Sequence, residues 1–410
     1  MKSRSDLSLG PAFDRIWVAS MTTNLADGLL KVAAPLLAVT LTDSPLLISL
    51  MSALVMLPWL FFAIPIGGLA DRVDRRLALA GANATRFLIT AMVALLIATD
   101  SMTIYWLYLA TFVIGICEVL VDTTAQSLIP QVVEEKNLER ANSRLQVAET
   151  VIQEFIGAPI SGLLYSIAIV IPFIANSAGF VIATILILLI PSQLIKNLHN
   201  ETIEKKSRFK EDLSIGLKFL FGHARIRKIV FITTSIGFFA SLSSATAVLF
   251  VIKVLEVPTR SFGLIMAIQG VGGVLGGLLA PRISSKWGRG PVMAISILTT
   301  CIAMIATGFA TNVYLFIIYG FAIGFFITNW NILLMASYQT MIPNELFGRV
   351  HGARRTFVWG LMPVGSLVGG WISTINLRLP FIVGGAAASI ICIASFNFIY
   401  SLDTAQTEAL

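Results

Sequence analysis

Apolar residues run through this chain in long blocks that do not alternate with polar ones. Between polar or Pro/Gly breaks the blocks fall at approximately 15–41, 45–70, 77–99, 102–128, 142–168, 170–190, 228–252, 260–282, 290–310, 313–340, 350–374 and 379–401. A helix needs about 20 mostly apolar residues to cross a bilayer, so the pattern predicts an all-α polytopic membrane protein with twelve transmembrane helices. Membrane β-strands would alternate apolar and polar residues in segments of about ten, which a run such as Phe180 to Ile190 does not do. The first block is too long for a signal peptide. It carries Asn24, Asp27 and Lys31 and leads into the second block without a cleavage-type sequence. The one long polar stretch divides the chain into a first six-helix bundle at 1–190, a cytoplasmic linker at 191–227 and a second bundle at 228–410. Inside the linker Leu213, Leu217 and Leu220 stand at helical spacing among Lys and Asp, which predicts an amphipathic helix on the cytoplasmic face.

Composition narrows the class further. Of the 410 residues 56% are hydrophobic and 12% charged, with mean hydropathy +0.85. A soluble domain carries about a quarter charged residues. A chain with half that share cannot cover a water-facing surface of this size, which excludes a disordered protein, a disulfide scaffold and an ordinary soluble enzyme. Cys117, Cys301 and Cys392 all fall inside spans and read as small apolar residues.

The net charge of +7 acquires its meaning from position. Lys2, Arg4 and Arg15 precede or open the first span, and Arg72, Arg75 and Arg76 follow the second. Lys136, Arg140 and Arg144 follow the fourth, and a polybasic group from Lys196 to Lys228 follows the sixth. Arg282, Lys286 and Arg289 follow the eighth, while Arg349, Arg354 and Arg355 open the eleventh. The opposite side has Lys253, Arg260 and Arg378. By the positive-inside rule both termini lie in the cytoplasm, and the basic excess is topology, with no nucleic-acid partner implied.

The halves repeat. Gly67-Gly68-Leu69-Ala70-Asp71-Arg72 ends the second span and Gly276-Gly277-Leu278-Leu279-Ala280-Pro281-Arg282 ends the eighth. Gln126-Ser127-Leu128-Ile129-Pro130 and Gln339-Thr340-Met341-Ile342-Pro343 end the fourth and tenth at nearly the same offset. Parallel repeats of this kind place a transport site near the midplane, with alternating access.

At these residues a family becomes visible. Gly67-x-x-x-Asp71-Arg72-x-Asp74-Arg75-Arg76 resembles the signature loop of the major facilitator superfamily, with Asp74 where many members have glycine. Ala26-Asp27-Gly28, Gly115 with Glu118 and Asp122, and Pro343-Asn344-Glu345-Leu346-Phe347-Gly348-Arg349-Val350 are similar to the efflux branch that contains the enterobactin and macrolide exporters. The resemblance implies a bacterial inner-membrane exporter of a small amphipathic molecule. Gly67, Asp71, Arg72, Arg75 and Arg76 would then latch one conformation on the cytoplasmic side. Gly157-Ala158-Pro159-Ile160-Ser161-Gly162 departs from the family's Gly-Pro export motif, with the proline displaced by one and a serine for a glycine.

Ionisable residues inside a span cost at least about 2.5–3.5 kcal/mol each, so each calls for a partner or a role. The set is Asp27, Lys31, Arg86, Glu118, Asp122, Glu149 and Glu154, all in the first half. Asp27 and Lys31 are i, i+4 and can pair. Arg86 lies about 13 Å from the cytoplasmic end of its span, and Glu118 and Asp122 lie about 15 and 9 Å from theirs, which predicts an Arg86–carboxylate pair that can be purely structural. Five acids face two bases, and a carboxylate withdrawn from water favours its protonated form, as a proton carrier requires. These observations predict proton antiport, with Asp27, Glu118, Asp122 and Glu149 as carriers and Lys31 and Arg86 as their charge partners.

For the substrate cavity the sequence offers Asn24, Gln153, Gln269, Asn329, Trp330 and Asn331, with Trp330 the favoured contact and Ser241, Ser243 and Ser244 nearby in the second half. No phosphate-binding loop of the Gly-x-x-x-x-Gly-Lys-Ser/Thr type occurs. His199, His223 and His351 are scattered, so neither a metal nor a cofactor is expected, and the energy source would be a proton gradient. A monomer is expected. The alternatives are a lipid-related or importing facilitator, a membrane enzyme or a non-transporting sensor.

Overall fold

The computed structural model describes residues 9–70, 73–133, 137, 141, 144–145, 151–190 and 209–402. The first half contains α1 (Pro11–Leu41), α2 (Pro45–Ala70), α3 (Arg75–Ala98) and α4 (Ile104–Val132). A wide π-type segment at Val151–Gly157 runs into α5 (Ala158–Ile167), and α6 (Ile171–Leu188) follows. The amphipathic helix is α7 (Phe209–Gly222), and α8 (Ala224–Ser244) continues irregularly to Val254. Then come α9 (Thr259–Trp287), α10 (Arg289–Gly308), α11 (Val313–Met341), α12 (Asn344–Gly360), α13 (Met362–Ser373) and α14 (Leu379–Tyr400). Among the described residues eleven helices are long and apolar enough to cross a membrane, and Val151–Ile167 is a shorter apolar helix in the place of the predicted fifth span.

Local chemistry explains several boundaries. Asp74, the departure from the family loop, is the N-cap of α3. Its carboxylate accepts from the backbone N–H groups of Arg76 (2.9 Å) and Leu77 (3.2 Å), which satisfies donors that a helix start leaves open. The C-terminal end of α6 is capped from other helices. Arg15 donates to the Leu189 carbonyl (2.6 Å), and Arg76 donates to the carbonyls of Leu188 and Ile187. Cations are favoured there by the helix dipole. The π-type widening precedes Pro159, whose ring has no N–H and crowds the carbonyl one turn earlier.

The molecule divides into two compact units that follow the chain halves except for two exchanges. Residues 42–56 group with the second unit and 259–264 with the first. In the first unit α6 packs along both α1 and α3, and the π-type segment and α5 pack along α1. The crossing of α1 with the π-type segment is backbone against backbone. A Cβ on Gly28 would collide with the Gln153 carbonyl oxygen, and one on Gly157 would lie 2.8 Å from the Gly28 Cα. Ser161 Oγ of α5 donates to the Leu29 carbonyl beside this contact (2.6 Å). Gly115 of α4 is filled by the Pro58 ring of α2, and Gly263 lies against Gly162 and the Ala158 carbonyl.

In the second unit α9 and α11 touch through small-residue stripes. Gly272 and Gly276 meet the carbonyls of Phe321 and Phe325, and Gly324 meets the carbonyl of Gln269. Such stripes let helix backbones approach where lipid supplies no hydrophobic drive. The serines of α8 stitch helices together. Ser241 bonds the Met362 carbonyl (2.7 Å) and Ser366 Oγ (2.6 Å), and Ser243 donates to the Pro380 carbonyl (3.1 Å). The Sγ atoms of Cys301 and Cys392 lie 3.5 Å apart between α10 and α14. The docked face of α7 is apolar, with Leu217 and Leu220 in the core that includes Ile226, Met293 and Trp330.

Candidate functional site

Chemistry concentrates where α1, α3 and α6 meet in the first unit. Asp27 of α1 forms an ion pair with Arg86 of α3, whose side chain is 1% exposed against 15% for Asp27. The sequence had pointed to Glu118 or Asp122 for Arg86. The partner is Asp27 of α1, although α4, which carries Glu118 and Asp122, also packs against α3. The guanidinium carbon also lies over the Phe180 ring of α6, 4.1 Å from its centroid.

Polar side chains on the same helices support the pair. Asn176 Nδ2 donates to the Ala26 carbonyl, next to Asp27, and Ser177 Oγ donates to the Phe87 carbonyl, next to Arg86 (3.4 Å). Thr90 Oγ1 donates to the Arg86 carbonyl (2.9 Å), and Asn83 Nδ2 donates to the Leu79 carbonyl (3.0 Å). Among the described residues Arg86 Nε, Asn83 Oδ1 and Asn176 Oδ1 have no hydrogen-bond partner. Buried polar atoms are nearly always paired, so this seam holds more hydrogen-bonding capacity than its own contacts use. The sequence reading overlooked Asn83 and Asn176. An amide in the middle of an apolar span was the signal available for each.

The other acidic candidates stand differently. Glu118 of α4 is half-buried, and its carboxylate has no hydrogen-bond or ion-pair partner among the described residues. Asp122, one turn further, is also half-buried and does engage a neighbour. Lys31 is exposed and likewise engaged. Glu149 and Gln146 lie outside the described residues, as do Asp71 and Arg72 of the loop, and the side chain of Glu154 is not described. Gly67 lies near the end of α2, and Arg75 opens α3 with an interaction of its own. Arg76 grips the end of α6. Among the described residues no three His, Cys, Asp or Glu side chains gather to hold a metal ion.

The amide and aromatic candidates separate into facing and buried residues. Asn24 is half-buried and donates to the Ser20 carbonyl (2.8 Å), and Gln153 is half-buried in the π-type segment. Gln269 packs its side chain onto Gly320 at the α9–α11 contact. Asn329 is buried, donates to the Phe325 carbonyl (2.9 Å) and leaves its Oδ1 unpaired among the described residues. Asn331 is exposed. Trp330, the favoured substrate contact, is 2% exposed and packs in the core with Leu333, Leu334 and Tyr338. It belongs to the packing of the second unit.

Many apolar membrane-length helices in two units, with a buried ion pair in one of them, define a polytopic membrane protein. The chain belongs to the Major Facilitator Superfamily, whose sequence profile matches residues 16–363 and again 255–408. No curated protein matches it. Solved structures share its fold. A mutant of the nucleoside transporter NupG aligns with TM-score 0.78 at 13% identity, covering 95% of this chain and 100% of that one. A bacterial homologue of the iron transporter ferroportin, in an inward-facing state, gives 0.72 at 14%, covering 95% and 99%. A bacterial homologue of the human lysosomal transporter Spinster, inward-facing and unoccupied, gives 0.64 at 15%, covering 96% of each chain. At these identities the likeness concerns the fold alone. The protein is a membrane-spanning transporter of that superfamily.

Proposed function

We propose that this protein is a proton-coupled exporter in the cytoplasmic membrane of a bacterium, with both termini in the cytoplasm, working as a monomer. It expels a small amphipathic molecule, in the manner of the efflux branch its motifs resemble. The observation that carries this reading is the distribution of acids and bases in the first unit. One buried base, Arg86, is committed to Asp27, while Glu118 keeps an unpartnered carboxylate among the described residues. Asp27 alternates between its ion pair and a protonated form. Glu118 takes up or passes the proton, and Asp122 and Glu149 extend the path.

The same distribution favours a neutral or cationic substrate. A buried guanidinium already engaged by a carboxylate is a poor receptor for a second anion, whereas an acid without a base attracts positive charge. Asn24 and Gln153 of the first unit supply amides that orient such a molecule. The cytoplasmic loop from Gly67 to Arg76 latches one state.

Inside-out membrane vesicles with an acidic lumen test this reading. Amphipathic cations, neutral macrolide-like compounds and catechol-bearing anions are offered in turn. The proposal predicts accumulation of a cationic or neutral compound that collapses when the gradient is dissipated. Gradient-driven movement in the opposite direction, or movement of the anionic class alone, overturns it.

A further inference from the structure

An Asp27–Arg86 pair that takes up a proton faces a charge problem. A guanidinium stays protonated at any working pH, so protonation of Asp27 turns Arg86 into a buried cation without its anion. Leaving such a charge unpaired in an apolar interior is strongly unfavourable. What else surrounds Arg86 therefore decides whether the pair can open at all.

Two elements pack against both α1 and α3: α4, which carries Glu118 and Asp122, and α6. α6 carries no charged residue between Ile171 and Leu188 and so offers no second anion. It offers a ring. Phe180 is fully buried, and its centroid lies 4.1 Å from the guanidinium carbon of Arg86. The face of an aromatic ring attracts a cation, and does so more strongly where water is absent. One turn earlier on α6, Asn176 holds the backbone beside Asp27 and Ser177 holds the backbone beside Arg86. These bonds fix the main chains on both sides of the pair, so the ring and the carboxylate stay at constant reach of the guanidinium. The charged side chains nearby in sequence or on α4 are Lys31, Glu118 and Asp122.

We infer that Phe180 is the second seat of the Arg86 cation. The ring holds the guanidinium while Asp27 is protonated, and Asp27 takes it back when the proton leaves. In this step a proton adds to a carboxylate oxygen of Asp27, the charged pair with Arg86 is lost, and Arg86 keeps its charge against the ring face. Phe180 touches neither substrate nor proton and is a positioning residue acting through Arg86. The inference rests on the reading of Asp27 as a proton carrier.

A double-mutant cycle in the purified full-length protein tests it by thermal unfolding, without any transport assay. Asp27→Asn imitates the protonated carboxyl permanently. In that background Phe180→Leu and Phe180→Met should each lower the melting temperature by about 3 °C or more beyond the loss they cause beside native Asp27. Phe180→Tyr, which keeps the ring face, should show no such excess. Equal losses in both backgrounds, or an excess shared by Tyr, would reduce Phe180 to a packing residue and overturn the inference. If Asp27→Asn does not yield folded protein, Arg86→Met closes the cycle instead. With no cation to hold, Phe180→Leu should then cost less than it does beside Arg86, and an unchanged cost counts against the proposal. Loss of pH-driven transport in Asp27→Asn is a separate result, so the coupling role of Asp27 and the seat at Phe180 can fail independently.

Discussion

Replacing Gly28 with alanine places one carbon where α1 and the π-type segment before α5 already touch. That carbon would collide with the Gln153 carbonyl oxygen and lie 3.0 Å from the Cα atoms of Gln153 and Gly157. These neighbours are backbone atoms and cannot rotate away, so the helices must separate. Overpacking of this kind costs about 1–3 kcal/mol. Separation also stretches the 2.6 Å hydrogen bond from Ser161 to the Leu29 carbonyl, worth about 1 kcal/mol. The sum, about 2–4 kcal/mol, corresponds to a fall of roughly 5–12 °C in melting temperature for a unit of some 200 residues. Gly81 is the internal control. It lies in α3 with nothing within 4 Å of an added Cβ, so Gly81→Ala should gain about 0.5–1 kcal/mol from reduced backbone freedom. Thermal unfolding of the detergent-purified variants, followed by intrinsic fluorescence, reads both signs. A Gly28→Ala protein that melts with the parent, or a Gly81→Ala protein that loses as much, would refute the backbone crossing. The contact lies one residue from Asp27, so the Gly28 variant should also lose transport in proportion to its melting temperature.

Further outcomes follow from other contacts. Asp74→Ala removes the α3 N-cap and should destabilise by about 1 kcal/mol, while Asp74→Asn, which still accepts the same backbone bonds, should lose far less in the same melts. Lys253→Gln breaks an exposed pair with Asp43 and should shift stability by less than about 1 kcal/mol; a larger loss would mean that this pair is less screened than its exposure implies. Cys117, Cys301 and Cys392 are all buried, so a maleimide should label the native protein slowly and the denatured protein at all three thiols, as mass spectrometry would count.

Much of the architecture was legible because the bilayer imposes it. Span lengths are dictated by hydrocarbon thickness, and the helices fall where the apolar blocks predicted. The amphipathic helix of the linker was readable from the helical spacing of Leu213, Leu217 and Leu220. The partner of Arg86 was not. Rise along a helix places Arg86, Glu118 and Asp122 at comparable depth, but depth says nothing about which helices are neighbours. In the structure α1 and α3 share two neighbours, α4 and α6, and that tertiary arrangement leaves no trace in helical rise. Trp330 shows a signal that was present and outweighed. Its amide neighbours suggested a cavity, yet Trp330, Leu333, Leu334, Ser337 and Tyr338 follow i, i+3, i+4, i+7, i+8, the spacing of a buried helix face. Asp74 was readable in principle as well, since an aspartate before a helix is an N-cap whatever a family has at that position.

The central claim is that protonation of Asp27 links the proton gradient to transport. Proteoliposomes containing the wild type, Asp27→Asn and Glu118→Gln, loaded with a pH-sensitive dye and given an exported compound, measure that link directly. The account predicts that substrate dissipates an imposed gradient through the wild type, and that Asp27→Asn still exchanges substrate down its own gradient while moving no protons. Proton movement in Asp27→Asn equal to that of the wild type would contradict it.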